Sequence, residues 1–348
     1  MSPYILAAFL FSLGLGTTMT FASSHWFLAW MGLEMNTLAI LPLMAQHHHP
    51  RAVEATTKYF LIQATGAATL LFASTTNAWL TGQWDIQQMS HPLPVALITL
   101  ALALKVGLAP LHSWLPEVLQ GLDLTTGLIL STWQKLAPFT LLLQIHPTSS
   151  TLLMCLGLTS TLIGGWGGLN QTQLRKILGY SSIAHLGWMI LIMQFSPSLT
   201  LLTLFIYIIM TFSTFLVFKL NNSTDINSLA TSWAKAPALM ALAPLMLLSL
   251  GGLPPLTGFM PKWLILQELA KQDLATTATL AALTALLSLY FYLRLSYAMT
   301  LTMSPNNTAG TTPWRLPSLQ LTMPLAVSAT TTLLLLPLTP AATALLTL

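Results

Sequence analysis

The chain has 348 residues, of which 54% are hydrophobic and 6% charged, with a formal charge of +4 and a mean hydropathy of +0.72. A soluble domain carries about 25% charged residues, so this composition excludes a water-facing globular surface and requires an integral membrane protein. One cysteine, Cys155, excludes a disulfide framework and a thiolate metal cluster, and scattered basic residues make no nucleic-acid patch.

The apolar runs are continuous, whereas a transmembrane barrel needs alternating strands of about ten residues. They predict helices of roughly 20 residues crossing a core about 30 Å thick. We expect an all-α, polytopic transmembrane bundle of eleven spans: 3–22, 25–45, 54–76, 93–111, 125–144, 150–168, 174–194, 198–219, 236–270, 276–302 and 320–345. The first span follows no positively charged n-region, which argues against a cleavable signal peptide. Polar and proline-rich phrases separate the spans: "HHHPR" at His47–Arg51, "SHPLP" at Ser90–Pro94, "HPTSS" at His146–Ser150, "SPS" at Ser196–Ser198 and "SPNN" at Ser304–Asn307. The short loops leave no room for a soluble domain.

Four ionisable residues fall inside spans. Glu34 lies in "WMGLEMNTL" of the second, Lys105 in "LALKVGLAP" of the fourth, Lys135 in "STWQKLAPF" of the fifth and Lys262 in "FMPKWL" of the ninth. A charge at mid-membrane costs roughly 3 kcal/mol on insertion scales, so each must face protein or a wet cavity. Glu34 is the one deep acid, and Lys105 is the partner we expect for it. Three lysines exceed what one structural pair needs, although charges that lock helices or snorkel to an interface fit the same pattern. A lysine that is alternately paired and released changes its proton affinity, which suits a proton path. His185 in "SSIAHLGWM" is either a relay or a hydrogen-bonded packing residue, and the same two readings apply to His112.

Other polar residues have simpler expectations. The triplet His47–His49 reads as a solvated loop, since consecutive residues do not converge on a metal. Glu54 and Lys58 form an i,i+4 pair. Glu117 and Asp123 read as surface acids, and Arg294, near Tyr290, Tyr292 and Tyr297, as an interfacial anchor. "NNST" at Asn221–Thr224 fits a glycosylation sequon on the wrong face for one. No dinucleotide-binding or Walker loop occurs.

Arg51, Lys58, Arg175, Lys176, Lys219, Lys235 and Arg315 lie in or beside even-numbered loops, against Lys271 in the odd-numbered ones. The positive-inside rule then places the N-terminus in the negative compartment. "GLAPLHSWLP" at Gly107–Pro116 and "GLPPLTGFMP" at Gly252–Pro261 share glycine, leucine and proline positions. Both phrases break a helix, and broken helices are tolerated in membranes where they line a cavity. The breaks fall in spans four and nine. An odd helix offset predicts two inverted five-helix repeats, 1–145 and 146–303, followed by a C-terminal loop and helix, 304–348.

The phrases "MGLEMNTLAILPLM", "LKVGLAPLHSWLPEVLQG", "STWQKLAP", "GGLPPLTGFMPKW" and "LYFYLRLSY" resemble the antiporter-like membrane subunits of NADH:ubiquinone oxidoreductase, respiratory complex I, in its vertebrate mitochondrial form. The likeness covers essentially the whole chain and extends to subunits of multisubunit sodium/proton antiporters. Bacterial relatives have fourteen helices and animal forms lack the first three, which fits eleven spans. The resemblance implies that Glu34 is the acid of the paired charge, Lys105 its partner, Lys135 the central lysine and Lys262 the lysine of the second half-channel. It places His185 on the polar axis between them and matches Pro110 and Pro255 to the two breaks. It also implies that NADH, FMN, iron–sulfur clusters and ubiquinone are handled by other subunits, with no cofactor bound here. The partners would be other membrane-arm and supernumerary subunits and phospholipids such as cardiolipin, not nucleic acid. The location would be the mitochondrial inner membrane, with the N-terminus in the matrix and the C-terminus in the intermembrane space. We therefore expect a proton-translocating subunit of that enzyme, without a redox centre of its own. A structural spacer is the main rival. A stand-alone cation/proton antiporter fits less well, because one deep acid is a poor cation site.

Overall fold

A computed structural model describes residues 2–46, 49–145, 150–234, 237–301 and 323–347. The described elements are helical: α1 (Pro3–Ala22), α2 (Trp26–Met44), α3 (Pro50–Thr81), α4 (Pro92–Val106), α5 (Trp114–Gly121), α6 (Leu124–Ser131), α7 (Trp133–Gln144), α8 (Ser150–Gly168), α9 (Leu174–Ile192), α10 (Pro197–Leu220), α11 (Ile226–Ala230), α12 (Pro237–Gly251), α13 (Phe259–Lys271), α14 (Ala275–Thr300), α15 (Met323–Leu334) and α16 (Thr339–Thr347). Five of them, α1, α2, α8, α10 and α14, contain stretches long and apolar enough to cross a bilayer unaided. Large apolar side chains such as Phe11, Phe72, Trp79 and Trp166 point outward, as lipid-facing helices require.

Local chemistry sets the boundaries. Proline opens α1, α3, α4 and α10, where its missing N–H costs nothing. The imidazoles of His25 and His49 accept from Phe27 N and Arg51 N at 3.2 Å and cap α2 and α3. His49 thus has a capping role, while His47 and His48 of the same triplet lie outside the described residues, as do Lys235 and Arg315. Hydroxyls along the helices turn back to carbonyls one turn earlier, for example Thr20 Oγ1 to Thr17 O at 2.7 Å, and so remain satisfied away from water.

The chain forms two compact units, Met1–Leu156 and Gly157–Leu348. Each contains the same device. In the first, the residue before α2, His25, forms an isolated antiparallel bridge with Asp85, after α3. In the second, the residue before α9, Gln173, bridges Asp225, after α10. Each unit then continues into a broken helix, α4–α5 or α12–α13.

Four spans differ from expectation. The fourth does not end near 111 but resumes as α5 to Gly121, so its break is internal. The third, α3, has 32 residues, about 48 Å at 1.5 Å per residue, longer than a hydrocarbon core of about 30 Å, and carries Arg51, Glu54 and Lys58 in its first turns. The fifth is interrupted at Thr132, where α6 gives way to α7. Pro138 denies the Gln134 carbonyl its helical donor, and the Ser131 and Thr132 hydroxyls both bond Leu128 O, at 3.0 and 2.7 Å. The eleventh is also divided: α15 ends at Leu334, and a 3₁₀ turn, Leu336–Leu338, carries Pro337 before α16.

Candidate functional site

In the first unit, Gly107 ends α4 with φ +89°. Its N–H and that of Leu108 both donate to Ala103 O at 2.9 Å, the closing pattern of a helix that turns left-handed at glycine. The chain passes the cis Ala109–Pro110 bond and restarts at Trp114. Two carbonyls freed by the interruption are recaptured by side chains. Trp114 Nε1 donates to Leu104 O at 3.1 Å, and Gln63 Nε2 of α3 donates to Lys105 O at 3.4 Å.

This arrangement turns the Lys105 side chain inward. Lys105 is 6% exposed and Lys135 of α7 is 2% exposed, and both line one cavity of about 20 Å³ with Asn36, Thr37, Gln63 and Gln134. That volume accommodates a water molecule, for which about 10–15 Å³ is enough. Glu34 is half-buried beside it. Its carboxylate accepts from Thr37 Oγ1 at 2.9 Å, whereas Lys105 Nζ has no hydrogen-bond partner among the described residues. Glu34 therefore acts on Lys105 through space rather than by a direct bond. The expected pairing is electrostatic in this conformation, because Thr37 holds the carboxylate on its own helix.

In the second unit, Gly252 ends α12 with φ +80°. Gly252 N donates to Ser249 O at 2.9 Å and Leu253 N to Leu248 O at 3.3 Å. A cis Pro254–Pro255 bond follows, and α13 restarts at Phe259. Here a lysine takes over the recapture: Lys262 Nζ donates to Gly251 O at 2.7 Å. Lys262 and His185 line a second cavity of about 20 Å³ with Thr203, Tyr207 and Met210. The rings of His185 and Tyr207 are 5.6 Å apart at 43°. His112 is half-buried, its Nδ1 3.3 Å from Pro110 O, and lies outside the lining of the Lys105–Lys135 cavity.

Glu117 and Asp123 are exposed, as surface acids should be, and Glu117 has a partner. Glu117 of α5 meets Lys58 of α3 at 3.0 Å, and Glu54 meets the same ammonium at 2.9 Å. These groups line a polar cleft of about 220 Å³ with Arg51 and Gln120. The hydrogen bond from Lys58 holds the Glu54 carboxyl below its ordinary 4.5, and its acceptors hold Lys58 above its ordinary 10.5. The Glu54 contribution is complete above its unfolded value and is lost as pH falls through the lowered folded one. The Lys58 contribution is complete below its unfolded value and is lost as pH rises through the raised one. All three groups are solvent-exposed, so salt screens them. Glu117→Gln is expected to lower the melting temperature slightly at low salt and not at high salt, measured by thermal melts at two ionic strengths. Arg294 is likewise engaged: its Nη1 donates to Leu169 O at 2.8 Å, just beyond the end of α8, and so links α14 to that end. In "NNST", Asn221 is buried with its amide against Met240 Sδ at 3.3 Å, whereas Asn222 is exposed.

A family model described as "NADH:quinone oxidoreductase/Mrp antiporter, TM" matches residues 23–288, and a second, "NADH dehydrogenase subunit 2 C-terminus", matches 289–343. The chain belongs to this antiporter-like family. It is 77% identical over 340 residues to NADH-ubiquinone oxidoreductase chain 2 of Tetraodon nigroviridis, covering 98% of each chain. It is 72% identical to the protein of the same name from Gadus morhua, over the full length of both. Among solved structures, a chain of respiratory complex I from Thermus thermophilus superposes with a TM-score of 0.86 at 26% identity, over 99% of this chain and 80% of that one.

Within this family framework, several site residues escape a reading of isolated charges. Asn36, Gln63 and Gln134 complete the first cavity, and Thr203 and Tyr207 the second. Their signal is a polar side chain inside an apolar helix, strong for Asn36 and Gln63 but diluted for threonine and tyrosine, which are common in these spans. Ser249 and Thr257 flank the second break and both donate to Thr332 O of α15, Ser249 at 3.0 Å. Thr332 is in the last turn of α15, where carbonyls lack intrahelical donors. The division of the eleventh span thus supplies an acceptor to the break in the ninth.

Proposed function

We propose that this chain moves protons across the mitochondrial inner membrane as a membrane-arm subunit of NADH:ubiquinone oxidoreductase. The observation that carries this reading is the construction of the two breaks. Each recaptures its freed carbonyls with side chains and sets a lysine, Lys105 or Lys262, at a small polar cavity inside an otherwise apolar bundle. In one cavity Lys105 joins Lys135, with Glu34 acting on it through space. In the other Lys262 joins His185. Glu34 would set the charge state of Lys105, Lys135 would receive and release the proton, and Lys262 with His185 would serve the second path. His112, at the first break, would act only where that break opens.

The redox steps belong elsewhere in the enzyme. A single cysteine cannot ligate an iron–sulfur cluster, and we read NADH, FMN and ubiquinone, like the clusters, as handled by other subunits of the enzyme. The corresponding bridges and breaks support two repeats, 1–145 and 146–303, with 304–348 appended. We read them as inverted, with the N-terminus in the matrix, the C-terminus in the intermembrane space and phospholipids such as cardiolipin on the apolar exterior. Lys135→Met in the intact enzyme, reconstituted in vesicles, tests the reading. Uncoupled NADH oxidation should persist while protons moved per electron fall. An unchanged ratio in a fully assembled variant would leave the chain as a spacer.

A further inference from the structure

We infer that Asn36 is a positioning residue of the first path, holding a water molecule against the Lys105 amine. The inference rests on the proton-path reading above and adds a group to it. Asn36 is 2% exposed, and neither Oδ1 nor Nδ2 finds a hydrogen-bond partner among the described residues. Lys105 Nζ, on a different helix, is in the same condition. Asn36 and Lys105 line the same cavity, whose volume of about 20 Å³ suits one water. Buried amides and ammonium groups are regularly satisfied, and water is the one common ligand that serves both groups here.

The surroundings fix the amide in place. Opposite it on α1 stands Gly16, where an added Cβ would collide with Asn36 Oδ1 and Cγ. Gln134 Nε2 donates to the main-chain carbonyl of Asn36 at 3.3 Å, which ties α2 to the residue preceding Lys135. Two positions before Asn36 is Glu34, and one after is Thr37, which donates to the Glu34 carboxylate. Asn36 thus shares its helix with the acid and its cavity with both lysines.

An amide suits this place because it both donates and accepts. A water beside it accepts from Lys105 when the lysine is charged and donates to Oδ1. When the lysine is neutral, the water donates to Nζ and accepts from Nδ2. As Lys105 gives its proton to the water oxygen, a different proton passes from the water to a neutral Lys135 amine, which lines the same cavity. What remains is a neutral Lys105, the same water and a protonated Lys135. Asn36 does not itself titrate; it keeps the water oriented through both states.

The test uses the whole enzyme in vesicles, with Asn36→Leu, Asn36→Asp and Lys135→Met side by side. Asn36→Leu keeps the approximate volume and removes the polar atoms. It should lower protons moved per electron while uncoupled electron transfer persists. Asn36→Asp keeps an oxygen acceptor at the same place and should recover part of the ratio. A density map of the unaltered enzyme that shows ordered waters should place one within hydrogen-bond reach of both the Asn36 amide and Lys105 Nζ. A dry site in such a map overturns the inference, as does an Asn36→Leu enzyme with a normal ratio, or equal loss in both Asn36 variants. If Lys135→Met lowers the ratio and Asn36→Leu does not, the proton path stands and Asn36 drops out of it. If neither does, both readings fall. Should Asn36→Leu fail to assemble, the map decides.

Discussion

Alanine at Gly258 should abolish incorporation of the chain into its membrane complex. The glycine has an ordinary backbone conformation, φ −65° and ψ −15°, so the reason is space and not conformational freedom. A Cβ there would land on the Ser249 carbonyl oxygen of α12, with Met210 Sδ also in contact. The obstruction is backbone, which cannot rotate away as a side chain would. Relief requires the start of α13 to move from the end of α12. That movement would disturb the Gly258 N–H to Ser249 Oγ contact at 3.4 Å and the Ser249 bond to Thr332 O. Overpacking a well-filled core usually costs about 1–3 kcal/mol; contact between two main chains in a helix break belongs at or above the upper end. Gly14→Ala is the control, because a Cβ there meets nothing within 4 Å and alanine favours a helix by about 1 kcal/mol. Native-gel quantification of the assembled enzyme should show Gly14→Ala at normal levels and Gly258→Ala absent. Normal assembly of the latter would mean that the two half-helices are not packed as described.

How much of this was legible beforehand depends on whether the information is local. Gly107 and Gly252 announce their breaks, since glycine followed by proline ends a helix whatever surrounds it. Lys105, Lys135 and Glu34 stand out because a charge in an apolar run must face protein or a wet cavity. The continuation of the fourth span as α5 was hidden: "SWLPEVLQG" is amphipathic and reads as a loop leaving the membrane. Its helix is held by Leu115, Val118 and Leu119, which are fully buried against other elements. The interruption at Thr132 precedes the proline that contributes to it, so the visible marker is displaced from the event. Convergence of Asn36, Gln63 and Gln134 on one cavity is a product of packing among α2, α3 and α7, and no spacing along the chain encodes it. The link from Ser249 and Thr257 to Thr332 is the extreme case. It joins hydroxyls at one helix break to a carbonyl near another break far along the chain.

Lys262 has two roles that ordinary substitutions confuse, and arginine should separate them. Its Nζ donates to Gly251 O at 2.7 Å, which satisfies a carbonyl left over where α12 stops. A hydrogen bond from a charged donor contributes about 1.5–3 kcal/mol, and an unsatisfied buried acceptor incurs a penalty of its own, made worse where water is scarce. Lys262→Met therefore removes a cap and an ionisable group together, and is expected to lower both the amount of assembled enzyme and its proton ratio. Arginine keeps a cationic donor but does not give up its proton under physiological conditions. The stem has to pass Gly252, where an added Cβ would touch Lys262 Cδ and Nζ, and the glycine leaves room for the similar stem of arginine. Lys262→Arg should thus assemble to near-normal levels and oxidise NADH when uncoupled, yet move fewer protons per electron. Methionine and arginine variants falling equally in assembly would make the cap geometry specific to lysine. An arginine variant that pumps normally would reduce Lys262 to a cap, leaving His185 and Tyr207 as the ionisable groups lining the second cavity.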